Sequence, residues 1–325
     1  MTQKVPPIRL LNLEPEHYSE RAREILNSFA QVDERPLPAS ALAEELRAYD
    51  GVILRLGHRL NGEALGGATR LKVVATPTTG LDHLDVTALE RLGITVISLR
   101  GERAFLDTIR ATAQHTMTLL LALTRRIPWA YGSVLRGQWD RDPYRGNELF
   151  GKTMGIVGLG RLGRQVAGYG LAFGMRILAH NKPAPVPRAR VRNVSLETLL
   201  RQSHVVSLHV PLTRETEGLI GGRELALMRP EAILVNTSRG GVVDEEALLR
   251  ALERGELAGA ALDVLRGEPG TGGAWDQEPP LLAYARNHEN LLLTPHIGGA
   301  AHGSMEKTEV FLAEKIRDYF ACATG

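Results

Sequence analysis

A glycine-rich segment is the part of this 325-residue chain whose residue types and spacing point most directly to chemistry. It reads GLGRLG at residues 158–163, after the apolar run 154–157 and before a helix-like stretch at 164–172. In a strand-turn-helix unit, such glycines allow a tight turn, a close approach of the backbone to a pyrophosphate, and packing of the helix on the strand. The N–H groups at the start of the helix then face the phosphates. The pattern alone is weak among 34 glycines, but its flanks favour a bound dinucleotide over an empty turn.

The residue expected about 20 positions after this loop, at the end of the second strand, is an acid, and here it is absent. The predicted strand 176–179 is followed within three residues by Asn181 and Lys182. A carboxylate there would bind the ribose hydroxyls of NAD and repel the additional phosphate of NADP. Asn181 and Lys182, with Arg188 and Arg190 further on, remove that repulsion and could attract the phosphate, but they fit equally well as solvated loop residues. The cofactor is therefore NAD or NADP, and the preference stays open.

Short apolar runs alternate with helical patterns along the chain, as expected for parallel sheets flanked by helices. A long helix is predicted at 105–126, and the six predicted strands that follow it are the number in a complete dinucleotide-binding sheet. The predicted fold is α/β, with two doubly wound parallel-sheet domains, one a Rossmann-type dinucleotide domain and the other a smaller flavodoxin-like substrate domain. The predicted strands lie at 8–11, 51–54, 72–75, 95–98, 153–157, 176–179, 204–209, 232–236, 260–264 and 290–294, and the remaining predicted helices of the first series at 16–29 and 86–92.

The C-terminal segment indicates that the first domain is discontinuous. After the last predicted strand one helix, 302–321, remains, and it has no further elements of its own to pack on. We infer that this helix returns to the first domain. The predicted substrate domain is then 1–102 plus 297–325, and the predicted dinucleotide domain is 103–296.

Composition and charge argue against several functional classes. The chain has 39 Lys+Arg against 37 Asp+Glu, without the clustered basic face of a nucleic-acid-binding protein. Its longest apolar run, 117–123, is far too short to span a membrane, and residues 1–13 lack the apolar core of a signal peptide. Cys322 is the single cysteine, so an internal disulfide is impossible and a reducing compartment is allowed. We therefore expect a cytoplasmic protein that binds neither nucleic acid nor membrane, and we predict no metal site.

Several motifs occur in order along the chain in addition to the glycine loop. They read GLDHLD at 80–85, LHVPLT at 208–213, NTSRGG at 236–241, LDV at 262–264 with EP at 268–269, and TPHIGG at 294–299. With these motifs the chain resembles the D-isomer-specific 2-hydroxyacid dehydrogenase family, which includes phosphoglycerate, glyoxylate/hydroxypyruvate and D-lactate enzymes. The resemblance covers nearly the whole chain, and separate motifs in the right order are far more specific than one alone. It implies an oxidoreductase that transfers a hydride between NAD(P)(H) and a D-2-hydroxy acid or 2-keto acid.

The resemblance implies a catalytic trio of Arg239, Glu268 and His296. His296 would donate the proton when a keto acid is reduced and accept it in the reverse direction, because histidine titrates near neutral pH. Glu268 would hydrogen-bond the other ring nitrogen, and Arg239 would offer a planar fork to the substrate carboxylate. Each residue alone could be an ordinary loop residue. All three, however, follow the carboxyl ends of predicted strands, where ligands bind in open α/β sheets.

The resemblance also implies which groups contact the cofactor and the substrate. Backbone N–H groups of residues 78–80 would bind the substrate carboxylate, and Asp263 would lie near the nicotinamide amide. The implied cofactor contacts are Gly158, Gly160, Arg161, Leu162, Gly163, Asn181, Lys182, His209, Pro211, Thr237, Ser238, Asp263, Gly298 and Gly299. The implied substrate contacts are Arg55, Thr78, Thr79, Gly80 and Arg239.

The link into the long helix, residues 98–108, departs from the family, whose members usually have a shorter link that contains proline. We hypothesise that Arg100 or Arg103 in this link, together with Arg55 or Arg110, contacts an anionic substrate such as a phosphorylated or sugar-derived acid. A solvated or dimer-facing loop explains the same arginines at least as well.

Two further expectations concern partners and role. The apolar segments 105–126 and 129–149 are large enough to support a symmetric homodimer, as in relatives of the family. The alternative function is a dinucleotide-sensing, corepressor-like interaction protein on the same fold, because a fold does not fix a function.

Overall fold

The computed structural model describes residues 7–66, 70–181, 190–269 and 275–323. The chain divides into two compact units. Unit 1 comprises Met1–Ile109, Pro269–Ala274 and Ala301–Gly325, and unit 2 comprises Arg110–Glu268 and Trp275–Ala300. Our predicted domain limits were 102/103 and 296/297, and the roles given to the two domains stay predictions.

Strands and helices alternate along the described residues. The strands are β1 (Ile8–Asn12), β2 (Ala30–Glu34), β3 (Gly51–Ile53), β4 (Val73–Ala75), β5 (Thr95–Ile97), β6 (Thr153–Val157), β7 (Arg176–His180), β8 (Val191–Asn193), β9 (Val205–Leu208), β10 (Ile233–Asn236), β11 (Gly259–Leu262) and β12 (Leu291–Leu293). The helices are α1 (Glu20–Asn27), α2 (Leu42–Glu45), α3 (Val86–Arg91), α4 (Arg103–Leu106), α5 (Ala111–Thr124), α6 (Ile127–Leu135), α7 (Arg161–Ala172), α8 (Leu196–Gln202), α9 (Gly222–Leu225), α10 (Glu245–Glu253), α11 (Pro280–Ala285) and α12 (His302–Ala323).

Unit 1 is built on a parallel sheet with the strand order β2-β1-β3-β4-β5 among the described residues. Numbered along the chain this order is 2-1-3-4-5, which is the flavodoxin-like order, and the predicted sheet type is confirmed. Strand β2 was missed because its sequence, AQVDE, is mostly polar. It pairs with β1 at the edge of the sheet, where one side of the strand has no partner strand and polar residues are tolerated.

The core of unit 1 anchors the C-terminal helix. Helix α12 packs against α1, and its Leu312, Ile316 and Phe320 are buried. These three side chains form one cluster with Leu26 of α1 and Ile53 of β3. Burying a side chain of this kind contributes about 1.5–3 kcal/mol, so the cluster holds α12 firmly on the first sheet.

Unit 2 is built on a parallel sheet with the order β12-β11-β10-β9-β6-β7-β8 among the described residues. Counted from β6, this is the Rossmann order with one further strand, so the predicted sheet type is confirmed. The predicted number of six strands is wrong, because the three-residue edge strand β8 was missed. The strand order reverses between β6 and β9, and ligands bind in the crevice at such a point.

The long helix predicted at 105–126 is instead two helices, α4 and α5. The helical path ends after Leu106, and Thr108 Oγ1 donates a hydrogen bond to the Phe105 carbonyl. Hydroxyl groups of this kind compete with the helical backbone bonds, and the first segment of unit 1 ends at the next residue, Ile109. Helix α5 is apolar on most sides because it is a buried helix, packed against α7, β10 and β11.

Candidate active site

The glycine loop joins β6 to α7, and glycine suits each of its three glycine positions for a different physical reason. Gly158 has φ +93°, and a Cβ there would lie 2.6 Å from the His209 carbonyl oxygen. At Gly163 a Cβ would lie 2.1 Å from the Gly158 carbonyl oxygen, so this glycine lets α7 pack on the loop. At Gly160 an added Cβ would meet no atom of the described residues within 4 Å. Gly160 therefore faces open space, through which a pyrophosphate could approach the backbone.

The start of α7 suits an anionic group. Gly160 is the N-cap of this 12-residue helix and has no side chain that could cap it. The first turn of a helix presents N–H groups that make no bond within the helix and can bind phosphate oxygens. The loop and helix therefore fit a dinucleotide.

Asn181, which stands where an acid was expected, lies directly against the glycine loop. Its Oδ1 accepts a hydrogen bond from Leu159 N at 2.9 Å. The side chain therefore sits beside the loop at the end of β7, where the ribose of a dinucleotide binds in this fold. Lys182 and Arg188, also considered for this role, lie outside the described residues.

Two of the predicted catalytic side chains are in direct contact. His296 Nδ1 lies 2.5 Å from Glu268 Oε1, and 25% and 30% of the two side chains are exposed. An ionised carboxylate can only accept, so Nδ1 carries the hydrogen and Nε2 is left for a substrate oxygen. Glu268 Oε2 accepts from Leu265 N at 3.3 Å, which holds the carboxylate against the chain after β11. The acid thus sets the tautomer and orientation of the histidine.

Arg239 lies in the loop after β10, next to the loop after β11. Asn236 Nδ2 donates to the Arg239 carbonyl at 2.9 Å, and Arg239 Nη1 donates to the Ser238 carbonyl at 2.8 Å. A Cβ on Gly240 would lie 2.1 Å from the Leu265 carbonyl carbon, so the two loops touch. The three predicted catalytic residues therefore follow the carboxyl ends of the neighbouring strands β10, β11 and β12.

Asp263, after β11, holds the loop that carries His296. Its carbonyl accepts from His296 N at 2.8 Å, and its carboxylate accepts from the next two N–H groups of the loop at 2.9 and 2.7 Å. A Cβ on Gly298 would lie 2.9 Å from Asp263 Oδ2, so glycine suits this position. Burial acts to raise the pKa of Asp263, but hydrogen bonds from His115 and Thr294 outweigh it and hold the pKa below its ordinary value.

Comparison with known proteins decides the family. Residues 117–298 match the family model described as D-isomer specific 2-hydroxyacid dehydrogenase, NAD binding domain. The chain belongs to this family. The resemblance drawn from the sequence motifs is therefore confirmed.

Individual relatives cover the chain almost completely. The glyoxylate reductase of Thermococcus gammatolerans is 37% identical over 321 residues, which make up 96% of this chain and 92% of that protein. The D-3-phosphoglycerate dehydrogenase of Methanocaldococcus jannaschii is 35% identical over 315 residues, which make up 95% of this chain. The chain spans only 57% of the length of that curated relative. Among solved structures, the D-lactate dehydrogenase of Aquifex aeolicus complexed with NAD and lactic acid has a TM-score of 0.82 and 29% identity, and the match covers 96% of this chain and 95% of that one.

Two of the predicted cofactor contacts use their hydroxyls inside the protein. Thr237 Oγ1 lies 2.8 Å from Thr116 Oγ1 of α5, and Ser238 Oγ donates to Asn236 Oδ1 at 2.7 Å. These bonds fix the loop that carries Arg239. A direct contact of either hydroxyl with a dinucleotide stays a prediction.

His209, one of the predicted cofactor contacts, follows β9 and lies beside the glycine loop. Its Nε2 lies 2.9 Å from Ser207 Oγ, and the protein packed around the ring lowers its pKa to about 4. The ring is therefore neutral at physiological pH.

Pro211 and Gly299 are two further predicted cofactor contacts. The carbonyl of Pro211 accepts a hydrogen bond from a hydroxyl group at 2.6 Å. A Cβ on Gly299 would meet no described atom within 4 Å.

Sequence analysis missed one residue that lies in this region, His115. It stands on α5, with Nε2 3.1 Å from both Asp263 Oδ1 and Thr294 Oγ1. The available signal was a histidine in a helix that otherwise contains only alanine, leucine, methionine, threonine and glutamine. A partner 148 positions away in sequence could not be inferred from that signal.

Three of the predicted substrate contacts form the loop after β4 in unit 1. Thr78 Oγ1 donates to the Gly80 carbonyl at 2.7 Å, and the Thr78 carbonyl accepts from Leu99 N at 3.1 Å. Thr79, between them, is exposed. Their contact with a substrate carboxylate stays a prediction.

Arg55, also predicted to bind substrate, is held by unit 1 itself. Its Nη2 donates to the carbonyls of Glu14 and Glu16 at 3.1 and 2.9 Å, and its Nη1 lies 3.4 Å from Glu309 Oε1. The Glu309 side chain is only 1% exposed, and burial raises its pKa. Arg55 therefore offsets a buried carboxyl of α12, and its contact with substrate stays a prediction.

The arginine-bearing link before α5 is attached to α12. Lys315 Nζ of α12 donates to the Ser98 carbonyl at 2.9 Å and to Glu102 Oε1 at 2.6 Å. Arg100 and Arg103 are exposed. The exposure is compatible with both earlier hypotheses, a substrate contact and a solvated loop.

Proposed function

We propose that this chain interconverts a 2-keto acid and a D-2-hydroxy acid with NAD(P)(H). The observation that carries the proposal is the hydrogen bond between His296 Nδ1 and Glu268 Oε1, after two neighbouring strands of a dinucleotide-type sheet. The family of the chain supports it. The regulatory alternative is not favoured, because the similar proteins described above are named as reductases and dehydrogenases.

His296 is the proton-transfer group in this proposal. Since Nδ1 is engaged by Glu268, the ring exchanges a proton with the substrate oxygen through Nε2. It donates that proton when the keto acid is reduced and accepts it when the hydroxy acid is oxidised. The Asp263 bonds on both sides of His296 keep the ring in place during the exchange.

Arg239 binds the substrate carboxylate and polarises the keto oxygen in this proposal. A guanidinium offers two parallel N–H donors that match a carboxylate, and its charge stabilises the oxygen as negative charge develops. The contact of its loop with the loop after β11 supports this placement, because Gly240 lies against Leu265.

The glycine loop, the start of α7 and Asn181 would hold the dinucleotide. A bound nicotinamide ring supplies the hydride that C2 of the keto acid receives, or takes it up in reverse. The protein's own contribution is to position the substrate and to move the proton.

A substrate screen tests the proposed function. The full chain is mixed with NADH or NADPH and with glyoxylate, hydroxypyruvate, phosphohydroxypyruvate, pyruvate or sugar-derived keto acids, and the loss of reduced-nicotinamide absorbance is followed. We expect oxidation with at least one small anionic acid. Absence of oxidation with every pair, in a protein that still binds a dinucleotide, would overturn the proposal.

We predict that Asn181→Asp shifts the cofactor preference toward NADH. The aspartate can keep the bond from Leu159 N and adds a negative charge that repels the additional phosphate of NADP. The ratio of kcat/KM with NADH to kcat/KM with NADPH should rise about tenfold, which corresponds to about 1.4 kcal/mol. Asn287→Asp, which adds the same charge at an exposed position after α11, is the control. An unchanged ratio in the Asn181 variant would show that this position does not sense the phosphate.

We further propose that the chain forms a homodimer through α6 and the turn after it. Five large apolar side chains are exposed there, Ile127 (55%), Tyr131 (64%), Val134 (47%), Leu135 (68%) and Trp139 (90%). Clustered apolar side chains on a surface typically mark an interface. A second copy of the chain would bury them across a two-fold axis.

The dimer is tested with Trp139→Glu. A buried, unpaired charge is costly, so the mass measured by light scattering should fall from that of a dimer to that of a monomer. Leu92→Glu changes another exposed leucine, 55% exposed after α3, and should leave the mass unchanged. If the Trp139 variant kept the mass of the native protein, this interface would be contradicted.

We also propose a cytoplasmic location. The described residues contain no helix that is both long and apolar enough to cross a membrane. The one cysteine, Cys322, is a free and exposed thiol, which a reducing compartment would preserve. Fractionation of the source cells with an antibody against the chain checks this location, and recovery in an extracytoplasmic fraction would contradict it.

A further inference from the structure

The loop that carries His296 has a strained backbone. His296 has φ +53°, in the left-handed region that residues with a Cβ rarely adopt. Such a conformation persists only when the surrounding structure holds it. Most of the bonds that hold it come from Asp263, whose carbonyl and carboxylate accept from three N–H groups, those of His296, Ile297 and Gly298. The Thr294 carbonyl also accepts from His296 N, at 3.0 Å.

Asp263 is in turn held by side-chain donors. Thr294 Oγ1 donates to Asp263 Oδ1 at 2.6 Å, and His115 Nε2 lies 3.1 Å from the same oxygen. The Asp263 side chain is 1% exposed and that of His115 is 14% exposed. A buried carboxylate needs such donors, because it has left its hydrating water.

The chemistry of this contact fixes the hydrogen of the His115 ring. The ionised carboxylate of Asp263 can only accept, so His115 Nε2 must carry a hydrogen toward it. The Thr294 hydroxyl already donates to the carboxylate and can accept from the same ring N–H, at 3.1 Å. The imidazole therefore joins α5 to two residues that flank the loop of His296.

We propose that His115 is a positioning residue for proton transfer: through Asp263 and Thr294 it holds the loop that presents His296 to the substrate. The inference rests on the proposed function, because it assigns His115 a task in that reaction. In this role His115 acts through Asp263, which its ring Nε2 contacts at 3.1 Å. Removing its N–H leaves the buried carboxylate short of a donor and loosens the strained loop.

Three variants separate this role from a purely structural one. His115→Leu removes the donor and keeps an apolar side chain of comparable size. His115→Gln keeps an N–H donor at a similar distance from the backbone. His204→Leu is the matched control, because His204 Nδ1 accepts from Thr153 N at 3.2 Å before β9, at the amino end of the same sheet.

The kinetic readout is the separation of kcat from KM. A displaced proton donor stabilises the transition state less, while substrate binding changes little. The kcat of His115→Leu should therefore fall roughly tenfold to a hundredfold with little change in KM. His115→Gln should recover most of kcat. His204→Leu should keep kcat near the native value, even if its melting temperature falls as far as that of His115→Leu.

The second readout does not depend on activity. In protein labelled with ¹⁵N-histidine, the ring N–H of His296 that bonds to Glu268 is assigned from its loss in His296→Ala. This signal should shift or broaden in His115→Leu and should stay in place in His115→Gln and His204→Leu. If the native chain reduced none of the keto acids, the proposed function would fail while this measurement still tested the positioning role. An unchanged His296 signal in His115→Leu, or an equal change in His204→Leu, overturns the inference.

Discussion

The His296→Ala protein is expected to lose nearly all turnover while it binds the dinucleotide as tightly as the native chain. General acid and base catalysis by a positioned side chain contributes roughly 10²–10⁴-fold, and alanine removes the ring that exchanges the proton. Dinucleotide binding should persist, because the glycine loop and Asn181 lie after other strands, β6 and β7. The two quantities are kcat with the best acid of the screen and the dissociation constant from quenching of tryptophan fluorescence.

Two further variants sharpen this result. His302→Ala removes an exposed histidine at the start of α12 and should leave kcat unchanged. Glu268→Gln keeps an oxygen that can accept from His296 Nδ1 but removes the charge, so its kcat should lie between those of the native and His296→Ala proteins. Near-native turnover of His296→Ala would refute the assignment of this histidine, and weakened dinucleotide binding would show that alanine disturbs the cofactor loop.

The fold was predictable wherever strands are buried on both faces. The runs at β6 and β9 are buried along their whole length and are apolar enough to stand out in the sequence. The edge strands β2 and β8 were not predictable, because AQVDE and VRN contain charged residues that an edge can expose to solvent. The break between α4 and α5 was not predictable because the hydroxyl bond of Thr108 does not alter the hydrophobic periodicity of the sequence.

The candidate site was predictable in its residue types and in the bond between Glu268 and His296, but not in the bonds that hold its loops. Motif order placed Glu268 and His296 correctly after neighbouring strands, because parallel strands bring their carboxyl ends to one edge. The clamp formed by Asp263 was not predictable, since it depends on a left-handed residue and on backbone N–H groups that look alike in any sequence. The network around Arg55 was not predictable either, because its partner Glu309 is 254 positions away in the sequence.

Arg239→Lys should lower kcat/KM severely, although the substitution retains the positive charge. A lysine ammonium cannot offer the two parallel N–H groups of a guanidinium, and it cannot be held by the Ser238 carbonyl in the same geometry. Losing one hydrogen bond to a charged group costs about 1.5–3 kcal/mol. We therefore expect kcat/KM for keto acids to fall roughly tenfold to a hundredfold, with dinucleotide binding unchanged.

The pattern of the loss tests the role of Arg239 more sharply than its size. If the guanidinium binds the carboxylate in both ground and transition states, KM rises; if it also stabilises the developing oxyanion, kcat falls as well. The Ki of oxamate, which carries a carboxylate beside a carbonyl, should rise with KM because it depends on the same fork. Arg223→Lys, at a side chain 81% exposed next to Glu224, should change none of these quantities. A native Ki and KM in Arg239→Lys would remove Arg239 from the substrate site.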